Sequence, residues 1–322
     1  MSDVDLFSAV LAIALSHGAR KSAGLASRTL LDAPLREMSH VSEFLEWYEG
    51  NVRTGVLTVD HLNSAAELAK KTIEAGIEIV PIVSDRYPAY LRTIEDAPPA
   101  IYVRGNSALL AKPAGVSVVG TRKASPAGIK IADRIAFHFA ERGWTIVSGL
   151  ALGIDAAAHR GALRAKGDTI AVLAHGLQSA SPKANSYLGD EILATGGAWI
   201  SEHPLGVSAR PEFFVLRNRI QIGLSAGSII VEGEERSGTM TQAEFCLRNR
   251  RHLFAVLPEN TESLKLVSKG PLILINKRGA TPLRSRDDYD AAARAMEARR
   301  LTLATAQLSG AVTDLGERKP DL

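Results

Sequence analysis

A single cysteine, Cys246, stands among the 322 residues, which excludes an internal disulfide and any metal site built on a cysteine cluster. Aromatic residues are scarce at 5%, so binding by stacked rings has few side chains to draw on. Long apolar runs are missing as well. The longest, residues 7–15, falls short of the ~18 residues that a membrane span needs. Asp3 and Asp5 precede it, where a signal peptide carries basic residues. With 46% hydrophobic and 23% charged residues, neither a disordered nor a fibrous chain is in view. These absences predict a soluble, cytoplasmic protein with no membrane partner. The length suits one large domain plus a small one, or two of medium size.

What is present begins with an uneven charge. The formal net charge is +3, but residues 1–105 carry 10 basic and 14 acidic side chains, a balance of −4. The remainder carries 28 basic and 21 acidic, a balance of +7. A basic segment suits an anionic partner such as nucleic acid; it is also compatible with a solvated surface rich in lysine and arginine.

Residues 1–75 show helical periodicity broken by Gly18, Pro34 and Gly50, with a further helix expected over 60–75 and closed by Gly76. A strand at 77–83 and an extended, proline-marked connector lead to apolar residues 101–103. From residue 116 the pattern changes. Apolar, β-branched runs at 116–119, 145–147, 169–173, 198–200, 228–231 and 253–257 alternate with helical stretches at 126–142, 156–166, 185–194, 217–224 and 240–250. Strands that read as continuous hydrophobic runs between helices predict a parallel sheet covered on both faces. Ser125 followed by Pro126 marks a helix start, and Gly143 its end. The predicted fold class is α/β: a Rossmann-like, doubly wound, mostly parallel sheet with a small N-terminal helical domain. The expected segments are 1–75, 76–290 and 291–322, the last a helix end (287–300) and tail.

Ligands of such sheets lie beyond the carboxyl ends of the strands, against helix N-termini. The loops there read Gly120-Thr121-Arg122-Lys123-Ala-Ser125, Ser148-Gly149-Leu-Ala-Leu-Gly153-Ile-Asp155, residues 174–185, Ser201-Glu202-His-Pro204 and residues 232–239. Glycine-freed amides together with Arg122 and Lys183 suit several phosphates; the glycines also serve simply as tight turns. The dinucleotide fingerprint and the Walker lysine are absent, and no serine has a His/Asp entourage, so neither a nucleotide cofactor nor a catalytic nucleophile is implied.

Asp155 and His159, spaced i, i+4, suit either an acid/base pair or a capping carboxylate beside a packed histidine. Cys246 lies between Phe245 and Leu247 and reads as a buried structural thiol. Arg217-Asn218-Arg219-Ile220 is the strongest local signal. Two arginines two positions apart at a helix start project to different sides, so one can face an anion while the other holds a carboxylate such as Glu202 or Glu232. Arg219 is expected to take the structural part. A second basic run, Arg248-Asn-Arg-Arg251, ends the next helix, where cations suit the helix dipole.

Taken in order, these blocks resemble the DNA-processing protein A (DprA/Smf) family of single-stranded-DNA-binding recombination mediators. The resemblance spans about residues 76–290. It also covers Asp85-Arg-Tyr-Pro88, Pro98-Pro-Ala-Ile-Tyr-Val-Arg-Gly105, Val231-Glu232 and Ser237-Gly238-Thr239. It implies a basic pocket at Gly120, Thr121, Arg122 and Lys183 that binds DNA phosphates with little sequence preference. It further implies a dimer through the Rossmann domain, loading of RecA onto the strand, and a part in natural transformation. With Lys123, Ser125, Gly149, Gly153, Asn185, Arg217, Arg219, Ser237, Gly238 and Thr239 these form the expected DNA-binding set, supported by Asp155, His159, Glu202, Asn218 and Glu232. Tyr187, Phe213 and Phe214 are the nearest aromatic candidates. No cofactor, metal or catalytic residue is expected.

The chain departs from the family at several points. Leu152 stands where the family has arginine, residues 180–185 replace its Tyr-Pro-x-x-Asn form, and residues 258–269 differ from its serine/glycine-rich loop. The 32 residues after Asp290 are too few for the winged helix that many members carry. A role in defence, or in another DNA-linked process, therefore stays open. So does an enzyme resembling the nucleotide-monophosphate phosphoribohydrolases, although Thr241 stands at its glutamate position and carboxylate returns only at Glu244.

Overall fold

The apolar runs read from the sequence assemble into one nine-stranded sheet in the computed structural model, which describes residues 3–18, 21–38, 40–52 and 56–308. The strands are β1 (Glu78–Pro81), β2 (Ala100–Gly105), β3 (Gly115–Val119), β4 (Ile146–Ser148), β5 (Thr169–Val172), β6 (Ala198–Ser201), β7 (Ser225–Ile230), β8 (His252–Val256) and β9 (Thr281–Leu283). Their spatial order is β1-β2-β6-β5-β4-β3-β7-β8-β9. β1 and β2 pair antiparallel, as do β2 and β6; every other neighbouring pair is parallel. All residues of β3 to β7 are buried, which is why these strands read as unbroken apolar runs rather than as alternating ones.

Helices α1 (Asp3–Ile13), α2 (Ala23–Asp32), α3 (Val41–Asn51) and α4 (Val59–Glu74) precede the sheet, and the short α5 (Ala89–Arg92) lies between β1 and β2. Leu11, Phe44, Tyr48 and Leu62 from these helices share one buried apolar cluster with Ile79 and Ile101 of the sheet. Later come α6 (Pro126–Ala140), α7 (Ile154–Arg164), α8 (Ser186–Ala194), α9 (Pro211–Gly223), α10 (Gly238–Arg248), α11 (Lys269–Arg278) and α12 (Asp288–Leu308). Ser125 caps α6, its hydroxyl accepting the Gly128 N–H at 2.9 Å, with Pro126 in the first helical position. Ala132, Ile135, Ala136 and Phe139 then recur on one buried face of that helix. Among the described residues no helix is long and apolar enough to cross a membrane.

Four elements differ from the sequence expectation. α9 starts at Pro211, six residues before the expected 217, after an extended Arg210. Arg217 and Arg219 therefore lie in mid-helix, not in its first turn. α12 continues to Leu308 instead of ending at 300, and the expected tail beyond 308 lies outside the described residues. α11 and β9 were not expected at all, because each contains a proline. Pro271 is harmless in the first turn of a helix, and Pro282 is tolerated because β9 is an edge strand.

The connection from β3 leads to β4 on one side, while that from β7 leads to β8 on the other. The crevice at the switch point thus opens between the loops that follow β3 and β7.

Candidate functional site

Glu232 ties those two loops together. Fully buried, its carboxylate accepts the Ser125 N–H at 3.0 Å and the Val267 N–H at 2.9 Å, and its carbonyl accepts the Thr121 N–H at 2.9 Å. The turn after β3 is thereby fixed from behind. Thr121 Oγ1 also accepts the Lys123 N–H at 3.2 Å. Gly120, Thr121 and Ser125 are half-buried, whereas Arg122 and Lys123 are exposed. The Arg122 guanidinium lies 5.1 Å from the centroid of the Phe214 ring, a cation–π contact that orients it without neutralising it.

The loop after β4 packs onto this turn. Gly153 has φ +77°, and a Cβ there would come within 2.4 Å of the Thr121 carbonyl oxygen, so glycine alone allows the two loops to meet. At Gly149 a Cβ would fall 1.6 Å from Arg217 Nη1. The guanidinium occupies the space beside the Gly149 backbone. Leu150, buried and left-handed at φ 57°, is held through its carbonyl, which accepts Asn185 Nδ2 at 2.8 Å. Asn185 belongs to the loop after β5, where Lys183 is exposed, and Tyr187 in the first turn of α8 is 80% exposed. The loops of three adjacent strands thus interlock, with Arg122, Lys123 and Lys183 on their outer surface.

The two arginines of α9 have different surroundings. Arg219 forms a bidentate pair with Glu202, at 2.6 Å on each oxygen, and its Nε donates to the Asp96 carbonyl at 2.8 Å. Burial acts to raise the Glu202 carboxyl, but Arg219 outweighs it and holds the group below the usual carboxylate range. Arg217 donates Nη1 to the Val172 carbonyl at 2.6 Å, while its buried Nε has no hydrogen-bond partner. Burial lowers the Arg217 pKa, Asp155 opposes that shift, and Arg122 adds to it.

Asp155 and His159 serve separate strand ends. Asp155 accepts the Gly149 N–H at 3.1 Å, and His159 Nδ1 lies 2.7 Å from Thr169 Oγ1. Burial raises the Asp155 carboxyl and drives His159 down to about 3, with Arg217 and Arg160 adding to the latter shift. Across the crevice, the Ser237 and Thr239 hydroxyls lie 2.6 Å apart, and Asn218 Nδ2 donates to the Gly238 carbonyl at 3.3 Å. Ser237 is half-buried and Gly238 exposed.

Burial divides the expected DNA-facing set. Gly149, Asn185, Arg217, Arg219 and Thr239 are buried, and their backbones or polar groups are engaged within the loops, so they shape the site from behind. The remaining expected residues, Gly120, Thr121, Arg122, Lys123, Ser125, Gly153, Lys183, Ser237 and Gly238, are half-buried or exposed. The Arg122–Phe214 contact is a pairing that the sequence reading missed. Phe214 stands three residues before Arg217, a helical spacing that would have placed both on one side of α9. Cys246 is fully buried, and burial pushes its thiol up to about 12. Arg251 turns inward to the Tyr90 carbonyl and Thr93 hydroxyl, each at 2.9 Å. Glu244 is exposed on α10 and lies 3.9 Å from Arg278. No group of three His, Cys, Asp or Glu side chains suited to a metal ion gathers among the described residues.

A family model described as DNA recombination-mediator protein A matches residues 78–293, which include every site residue above. The chain belongs to that family. It is 37% identical over 215 residues to the DNA processing protein DprA of Bacillus subtilis, a match covering 67% of this chain and 71% of that relative. It is 36% identical over 208 residues to the protein Smf of Escherichia coli, covering 62% of this chain and 55% of that one. The X-ray structure of DNA processing protein A from Streptococcus pneumoniae aligns with a TM-score of 0.63 at 30% identity, over 89% of this chain and 94% of that chain. DNA processing protein A from Helicobacter pylori, a structure concerned with single-stranded DNA binding, aligns with a TM-score of 0.59 at 26% identity, over 68% and 96%. Helices α1–α4 precede the region that the family model matches.

Proposed function

We propose that the strand-edge pocket binds single-stranded DNA through its phosphates. The observation that carries this reading is the exposed Arg122–Lys123 turn, pinned by Glu232 and flanked by exposed Lys183. Fixed cations lose little freedom when a phosphate arrives, and a guanidinium resting on a ring keeps its N–H edges available. Tyr187, beside Lys183, offers a flat face for a base, a contact worth about 1–3 kcal/mol that tolerates any sequence and needs unpaired strands. The Helicobacter pylori relative's single-stranded DNA binding supports the same reading. As a recombination mediator, the protein would hold a strand in the cytoplasm as a homodimer and pass it to a RecA-type recombinase, in transformation or a related DNA process. No catalytic step belongs to this function.

The test is competition. Fluorescein-labelled single-stranded DNA bound to the protein should be displaced by unlabelled single strands at far lower concentration than by the matching duplex. Equal displacement by both would overturn the single-strand reading.

A further inference from the structure

Helices α6 and α7 both begin at the strand-edge loops and pack side by side. Between them lies an open depression of about 500 Å³, bordered by Lys130, Arg134, Arg160, Arg164 and Arg286, with Asp133 the single carboxylate in its lining. Arg164 engages that carboxylate at 2.6 Å. Among the described residues, Lys130, Arg134, Arg160 and Arg286 have no carboxylate within 4.0 Å. A second hollow of about 270 Å³ shares Lys130, Arg134 and Arg286 and adds Arg284, so the basic surface continues along α6.

Apart from the Arg164–Asp133 pair, which ties α7 to α6, this arrangement does not help the helices themselves. Positions 130 and 134 on α6, and 160 and 164 on α7, are i, i+4 pairs of like charge, which oppose helix formation. The groove also has an apolar floor: Phe137, with the Arg164 guanidinium 4.1 Å from its ring centroid, and Ile129, 39% exposed. Arg164 over Phe137 repeats the geometry of Arg122 over Phe214, with Asp133 as an added partner. Lys130 follows the capping residue Ser125 by little more than one turn, and Arg134 lies about 6 Å further along the axis. Positive charge thus runs from the turn bearing Arg122 down the helix surface.

We infer that the groove between α6 and α7 binds the sugar–phosphate backbone of the same single strand where it leaves the strand-edge pocket. This rests on the reading of that pocket as a single-strand site. A ladder of unpaired cations joined to the pocket fits a continuous polyanion; an acidic protein surface is the competing occupant.

The experiment compares oligothymidylates of about 5 and about 16 nucleotides by fluorescence anisotropy, using the full chain. The proteins are the wild type, an Arg134→Gln/Arg160→Gln variant and an independent Lys130→Gln/Arg286→Gln variant, each checked by thermal melting. Losing two phosphate contacts should lower the salt slope for the long oligomer by about 1.4 and weaken its binding roughly tenfold near physiological salt. Binding of the short oligomer should not change. An unchanged long-oligomer affinity in both variants overturns the inference, whether or not poly-glutamate then proves to bind the groove. Equal weakening of both oligomers also overturns it, since that reports a general field rather than a track. If the wild type binds neither oligomer, the pocket reading itself falls, a result distinct from either of these.

Discussion

Arg219 and Glu202 form a buried ion pair, with side-chain exposures of 4% and 13%. Removing one member of such a pair leaves the other uncompensated, at a cost of roughly 3–5 kcal/mol. Glu202→Gln should therefore lower the melting temperature sharply while leaving the salt dependence of DNA binding as it is, which calorimetry and a titration would check together. Histidines add a pH dependence. Burial holds His159 down at about 3 and His203 at about 4, against an ordinary value of 6.5. The folded protein keeps these rings neutral, so below pH 6.5 the unfolded chain binds more protons and stability is lost as the pH falls. The loss approaches about 1.4 kcal/mol per pH unit for each ring and continues down to the folded values. Glu202, whose carboxyl is held low, adds its own loss as the pH falls below its ordinary value of 4.5 and on through its folded value. Thermal melting between about pH 7 and pH 4 should show a falling midpoint; a flat profile would contradict the buried, neutral assignment.

Among the elements, the turns at the strand ends decide what the site can do. Gly153→Ala combines a strained φ of +77° with a clash against the Thr121 carbonyl, whereas Gly143 has the same φ with open space around it. Strain of this kind costs of order 1–3 kcal/mol. Both alanine variants should lose stability, but only Gly153→Ala should also weaken DNA binding, because it displaces the turn that carries Arg122. Equal DNA affinity in the two variants would show that the packing of these loops does not govern the site. The parallel strands and α6 were legible in the sequence, since buried β-branched runs and the Ser125-Pro126 start are local signals. The start of α9 was not, because Pro211 opens a helix whose first turns carry the apolar run 213–216 ahead of the arginines. The exposed part of the site was legible at Arg122 and Lys183. The burial of Asn185 and Arg217 was not, because it depends on loops from other strands closing over them, and no residue spacing encodes that.

Across the whole molecule, the strand-edge loops and the α6–α7 groove with their exposed cations lie in the segment where the balance is +7, while residues 1–105 are net acidic. Such a distribution steers an anion towards the strand-edge loops, and salt should screen it. Phosphate binding releases counterions, so log affinity for a single strand falls with log salt by about 0.7 per contact. The most direct measurement is that slope for the wild type and for an Arg122→Ala/Lys183→Ala variant. Both side chains are exposed, so the variant should melt as the wild type does, bind more weakly, and lose about 1.4 of the slope. A folded variant with the affinity and salt dependence of the wild type would contradict the assignment of the strand-edge pocket as the DNA site.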